Sequence, residues 1–231
     1  MEKWKTGLLI FCVGLLAFLE GNAFSGRERS RQVQSSTEAG GTDADREALK
    51  VAITFDDGPH SVCTPLLLDG LKERGVPASF FLLGQCIEGR EGIVKRMQEE
   101  GHLIGNHTYS HKDLTALRRE EAEREVLRTS NAIYEVTGVY TAFVRPPYGR
   151  WPEELEFHVT MVPVLWTLDS RDWEIKDASA VAEEVLSQAE SGSVILLHDC
   201  YKSSVEAAFQ IIDGLTERGY EFVTVDELIF P

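Results

Sequence analysis

Residues 51–59 read Val-Ala-Ile-Thr-Phe-Asp-Asp-Gly-Pro. A short, β-favouring apolar run ends at two adjacent carboxylates, and a Gly-Pro breaker then takes the chain out of the run. This is the pattern of a buried strand with its chemistry at the exit. Inside a strand, neighbouring side chains point to opposite faces, so Asp56 and Asp57 could not share a pocket there. At the strand's carboxyl end a turn can aim both into one site, which is where parallel α/β folds keep their functional groups. An ordinary Asp-Gly turn with two solvated carboxylates is the plainer alternative, and the rest of the chain decides between them.

From Lys50 onward, strand-like runs alternate with amphipathic helical stretches. The strand candidates are residues 51–55, 79–83, 103–105, 142–144, 161–168, 193–197 and 222–225. Helical stretches lie near 64–74, 92–100, 115–137, 178–190 and 204–218, with Gly75, Gly101, Gly138, Gly192 and Gly219 where such helices should stop. Between Gly149 and Val159 the helical segment is unusually short and opens with Trp151-Pro152. Alternation of this kind predicts a mostly parallel sheet. About seven strands with helices outside favour a βα barrel over an open doubly wound sheet, in one domain spanning 49–229.

The first 48 residues differ. Lys3 and Lys5 precede an apolar run from Gly7 to Leu19, and Gly21-Asn22-Ala23 offers small residues before a cut, so residues 1–23 read as a signal peptide. An uncleaved membrane anchor is second choice, because the run is shorter than the roughly 20 residues a spanning helix needs. Residues 24–48 carry Ser, Thr, Gly and mixed charge with almost no aliphatic periodicity, the composition of a flexible linker. The expectation is a secreted or cell-surface protein. Beyond the leader, Cys63, Cys86 and Cys200 form neither a disulfide framework nor a zinc ribbon and read as buried or free thiols. A net charge of −15 speaks against nucleic acid as a partner.

The unusual polar residues fall just after apolar runs: Asp56-Asp57, His107 to His111, Arg145, Asp169 and His198-Asp199. In a parallel barrel they assemble on the carboxyl rim, where barrel enzymes work. His107 and His111, four apart, have a metal-ligand spacing, but lack the Glu of a helix-borne zinc protease motif. With one aspartate they make an open three-ligand site, equally suited by ligand type to zinc hydrolysis or to non-haem iron oxygenation. His60, His102 and His158 have no evident partner and read as loop or surface residues.

Five motifs in order, Thr-Phe-Asp-Asp-Gly, His-Thr-Tyr-Ser-His, Arg-Pro-Pro-Tyr-Gly, Asp-Ser-Arg-Asp-Trp and Leu-Leu-His-Asp, resemble those of the NodB-homology polysaccharide deacetylases, carbohydrate esterase family four. The resemblance covers about residues 49–227. It implies a distorted βα barrel and metal-dependent removal of acetyl groups from N-acetylated sugars. Asp57, His107 and His111 match the family's metal ligands, with zinc the expected ion and cobalt second. Asp56 matches the general base, His198 the general acid, Arg145 the partner of the base and Asp169 the residue that orients the acid. The Tyr148 N–H matches an oxyanion donor, and Leu196 and Trp173 the apolar lining around the acetyl methyl.

The chemistry is coherent with those roles. Amide hydrolysis needs a strong nucleophile, which a divalent ion makes from water, a base to take the proton, and an acid for the leaving amine. Tyr148 resembles the branch acting on peptidoglycan N-acetylglucosamine more than the muramic-acid branch; chitooligosaccharide and acetylated xylan are the alternatives. Two other classes compete: a catalytically inactive glycan-binding barrel, which would not need Asp56 and His198 together, and a non-haem iron oxygenase, which needs no acid His and no Arg-paired base.

Overall fold

The computed structural model describes residues 48–152 and 161–230. The expected leader and linker, and His158 with most of the short segment after Trp151-Pro152, lie outside them. Among the described residues no helix is long and apolar enough to cross a membrane.

The opening run forms β1 (Leu49–Asp56), the central strand of an all-parallel sheet. After α1 (Cys63–Arg74) come β2 (Ser79–Leu82), α2 (Gly84–Ile87), α3 (Glu91–Glu99), β3 (Leu103–Asn106), α4 (Arg119–Thr137) and β4 (Phe143–Val144). Then follow β5 (Val162–Pro163), β6 (Leu168–Asp169), α5 (Asp172–Ile175), α6 (Ala178–Gln188), β7 (Val194–His198), α7 (Lys202–Glu217), β8 (Tyr220–Phe222) and α8 (Val225–Ile229). The ladder runs β5-β4-β3-β2-β1-β7-β6, and β8 pairs with the start of β1.

Period-two alternation divides the sheet into two faces. Val51, Ile53 and Phe55 of β1, Phe80 and Leu82 of β2, and Ile195 and Leu197 of β7 pack against the helices in the main core. Ala52, Phe81 and Val194 turn to the other side and form a smaller interior cluster with Val164 and Val225. On β1 the inward series continues from Ala52 through Thr54 to Asp56, so a carboxylate is the last inward residue of the strand. The burial of these apolar side chains, at roughly 1.5–3 kcal/mol each, secures the strands that carry the polar rim.

One expected strand is two. The run at 161–168 divides into β5 and β6, with β5 beside β4 and β6 beside β7. Between them, the carbonyls of Val164 and Leu165 accept from the Arg145 guanidinium at 3.2 and 3.4 Å. The guanidinium thus takes backbone acceptors that a continuous ladder would use. The ladder path ends at β5 and β6, which no described pairing joins, and the chain itself crosses the gap: a distorted, opened βα barrel. Residues 222–225, read as a strand, also divide, because Thr224 and Glu227 form a capping box that starts α8 at Val225.

Candidate active site

Asp56 ends β1 in register with Phe81 and His198. Its neighbour Asp57 takes a left-handed backbone, φ 72°. That reversal lets two consecutive carboxylates face one cavity, which the strand geometry alone forbids. Gly58 follows because nothing larger fits: a Cβ there would lie 2.4 Å from Oδ2 of the buried Asp199. The Thr64 hydroxyl donates to that oxygen. Burial pushes the Asp199 carboxyl up to about 7.

Arg145, fully buried, lies beneath the site. Its Nη1 donates to Asp56 Oδ1 at 2.8 Å and to Thr54 Oγ1 at 2.7 Å, and its guanidinium lies over the Phe81 ring, 4.1 Å from the centre. Burial pushes the guanidinium below its ordinary value, and the charge of Asp56 opposes this. The Arg145 carbonyl accepts from His107 Nδ1 at 2.7 Å. A carbonyl can only accept, so the His107 proton is on Nδ1 and the Nε2 lone pair is free. That Nε2 lies 3.6 Å from Asp57 Oδ1, and His111 Nε2 lies 3.7 Å from the same oxygen. Burial and the His107 ring hold the His111 pKa below its ordinary value, which favours the neutral, ligating imidazole.

Asp57 Oδ1 is buried with no hydrogen-bond donor. An orphaned carboxylate oxygen facing two imidazole nitrogens is unfavourable unless a cation lies among them. The three ligand atoms fall within 4.8 Å of one another, a donor set that fits one divalent ion with positions left open. The loop bearing the histidines is pinned from below. Asn106 donates to the Val126 carbonyl at 2.8 Å and accepts from the Thr108 N–H at 2.8 Å, while Glu125 accepts from the Ser110 N–H at 2.8 Å. Neither residue was singled out from the sequence; Asn106 stands next to His107, whereas Glu125 lies in a helix whose pattern gives no hint of it.

His198 ends β7. Its Nδ1 is 2.8 Å from Asp172 Oδ1, and its backbone N–H donates to Asp172 Oδ2 at 2.7 Å. The assignment of Asp169 as the residue orienting His198 is therefore corrected to Asp172. Asp169 Oδ1 instead accepts from the Arg171 N–H at 2.9 Å and closes its own turn. The chain reverses at Arg171, φ 54°, and the single turn α5 then delivers the second aspartate, not the first. Burial alone would lower the His198 pKa; the Asp172 hydrogen bond and charge, with Asp56 and Asp57, outweigh it and raise it to about 9.

The cavity these groups share holds about 360 Å³. Asp56, Asp57, His107, His111, Tyr148, Asp169, Trp173, Leu196 and His198 line it, together with Trp166 and Tyr201, which sequence reading missed. Tyr148, φ 59°, sits in the single turn Pro147–Gly149 with its ring against His111. Of the other histidines, His60 Nδ1 accepts from the N–H groups of Val62 and Cys63 at the start of α1, and His102 is buried at the far end of the barrel. Cys63, Cys86 and Cys200 are free thiols. Burial, first among the causes, pushes Cys200 up to about 12, the opposite of a reactive thiolate.

The polysaccharide deacetylase family model matches residues 43–161. The peptidoglycan-N-acetylglucosamine deacetylase PgdA of Listeria monocytogenes is 38% identical over 179 residues, covering 78% of this chain and 38% of the relative. This chain thus spans about two fifths of that relative's length. A chitooligosaccharide deacetylase of Sinorhizobium fredii is 39% identical over 190 residues, covering 75% of this chain and 88% of the relative. The solved structure of the peptidoglycan deacetylase PdaC from Bacillus subtilis superposes with a TM-score of 0.76 at 38% identity, covering 79% of this chain and 90% of that one.

Proposed function

This chain belongs to the polysaccharide deacetylase family, and we propose that it hydrolyses acetamide groups of an N-acetylated glycan in a metal-dependent reaction, with peptidoglycan N-acetylglucosamine the first substrate to test. The carrying observation is the orphaned Asp57 Oδ1, placed between two imidazole nitrogens in the same cavity as a His198–Asp172 pair. Asp57, His107 and His111 would hold the cation, zinc first and cobalt second. When bound, such an ion acidifies water and polarises the acetyl carbonyl.

The remaining work falls to the chain. Arg145 holds Asp56 by Oδ1, which leaves Oδ2 to accept the proton of the attacking water. The Tyr148 N–H, presented by a left-handed residue, stabilises the oxyanion as it forms on the acetyl oxygen. His198, tied to Asp172 through Nδ1, holds a proton on Nε2 for the departing amine. Leu196 and Trp173 close around the acetyl methyl.

Residues 1–23 belong to this proposal as a signal peptide or anchor, 24–48 as a linker and 49–229 as the deacetylase domain, which puts the enzyme at the cell surface or outside. Chitooligosaccharide is the second substrate, supported by the relative that acts on it. Acetate release from peptidoglycan, chitooligosaccharide and acetylated xylan, before and after chelation and zinc return, tests the reading. Release should vanish on chelation and reappear with zinc. Release that survives exhaustive chelation would remove the cation from the reaction, and none from any glycan would favour an inactive binding homologue.

A further inference from the structure

The reaction as proposed leaves unexplained one basic side chain that packs on a cavity-lining tyrosine. α5 is a single turn bracketed by two non-glycine residues in the left-handed region, Arg171 at φ 54° and Lys176 at φ 52°. Strained positions of this kind cluster at functional sites. Among the described residues four others share the conformation, and all are in or between site residues: Asp57, Thr108, His111 and Tyr148. This turn delivers Asp172 to His198 and Trp173 to the cavity wall, and it ends on Lys176. The Lys176 ammonium stands 5.1 Å over the centre of the Tyr201 ring, and Tyr201 lines the cavity beside Trp173 and His198.

The other basic residues close to site residues along the chain are neutralised. Lys112 pairs with Glu125 at 3.6 Å, Arg150 with Asp113 at 2.7 Å, Arg171 with Glu174 at 2.8 Å and Lys202 with Glu206 at 3.7 Å. Lys176 forms no ion pair among the described residues. Among the described residues two cations sit on an aromatic ring without an ion pair, Arg128 over Tyr109 at 3.4 Å and Lys176 over Tyr201, and of the two rings it is Tyr201 that lines the cavity. Acetamide hydrolysis on a neutral sugar has no use for the Lys176 charge. A carboxylate on the substrate does, because the ammonium offers a point charge with three donors.

We propose that Lys176, seated on Tyr201, receives a carboxylate carried by the sugar next to the one that is deacetylated, so that acidic glycans are preferred to neutral ones. The proposal rests on the deacetylase reading and narrows its substrate class. A single exposed contact of this kind discriminates about fivefold and weakens with salt.

The test uses the zinc-loaded full chain and three tetrasaccharides: alternating N-acetylglucosamine and N-acetylmuramic acid with free lactyl carboxylates, the same glycan with those groups as primary amides, and chitotetraose. For the native protein, kcat/KM for acetate release should be about fivefold higher on the acid than on the amide. That ratio should fall towards one in Lys176→Gln and at high salt, with the loss in KM. Equal rates on acid and amide, or a preference that persists in Lys176→Gln, would overturn it. Tryptophan-fluorescence titration with the same glycans reads the preference without turnover. Absence of acetate would therefore sink the reaction alone, while the binding ratio still decides for or against Lys176.

Discussion

The two ends of the barrel handle the same problems in opposite ways. At the end where helices lead into strands, left-handed positions are glycines: Gly75, Gly101, Gly138, Gly192 and Gly219. At the end where strands lead out, Gly89 and Gly149 are joined by Asp57, Thr108, His111, Tyr148, Arg171 and Lys176, which take that conformation despite their side chains. The first end is built for low strain. The second accepts of order 1–3 kcal/mol per position to aim functional groups. Two histidines, His198 half-buried and His102 buried, repeat the contrast. His198 has Asp172 against Nδ1 and is raised to about 9. At the other end His102 Nδ1 accepts from the Ala78 N–H, its Nε2 has no partner, and burial lowers it to about 4. Partner, not depth, sets the charge.

The sharpest way to break this comparison is to take the partner from His198. Asp172→Asn should cost about a hundredfold in acetate release, the scale of a general acid. With Asp172 gone burial governs His198, so the alkaline limb of the pH profile should move towards acid. Asp169→Asn should cost far less. An unmoved limb in Asp172→Asn would remove His198 as the acid.

A smaller effect separates the histidines by stability. The protonated His198 stabilises the fold fully below its unfolded value of 6.5, and that contribution is lost as pH rises through about 9. His102 runs the other way: the unfolded chain takes its proton below 6.5 and the folded one only near 4, so stability falls as pH drops between them. At pH 5 the cost is about 2 kcal/mol. His102→Gln should flatten the change in urea-unfolding stability between pH 7 and pH 5 by that amount; an unchanged slope would show that His102 is not the titrating group. The smallest effect is Gly219→Ala, at φ 82°. It should lose about 1 kcal/mol of stability with acetate release intact.

How much was legible in the chain follows the same division. β1 and its exit, the two histidines and the helix-stopping glycines each carry a local signal of periodicity, spacing or breaker chemistry, and the structure gathers them where parallel topology requires. Asp172 was misread because Asp169 and Asp172 both follow a strand. Choosing between them needs the left-handed turn at Arg171, which no local preference announces. The break at Val164 and Leu165 depends on a guanidinium arriving from Arg145, a tertiary contact outside any window. α8 is different, since Thr224 and Glu227 have the spacing of a capping box and were open to being read.

Arg145 joins the proposed proton acceptor to a proposed cation ligand in one residue. Its side chain grips Asp56 and its carbonyl grips His107, so the interval between those two functions is set by bond lengths and a single rotamer. Breathing of the opened barrel at β4 would therefore carry both together instead of prising them apart. The same guanidinium also holds the Val164 and Leu165 carbonyls, so the backbone that crosses from β5 to β6 is tied to the residue that sets this interval.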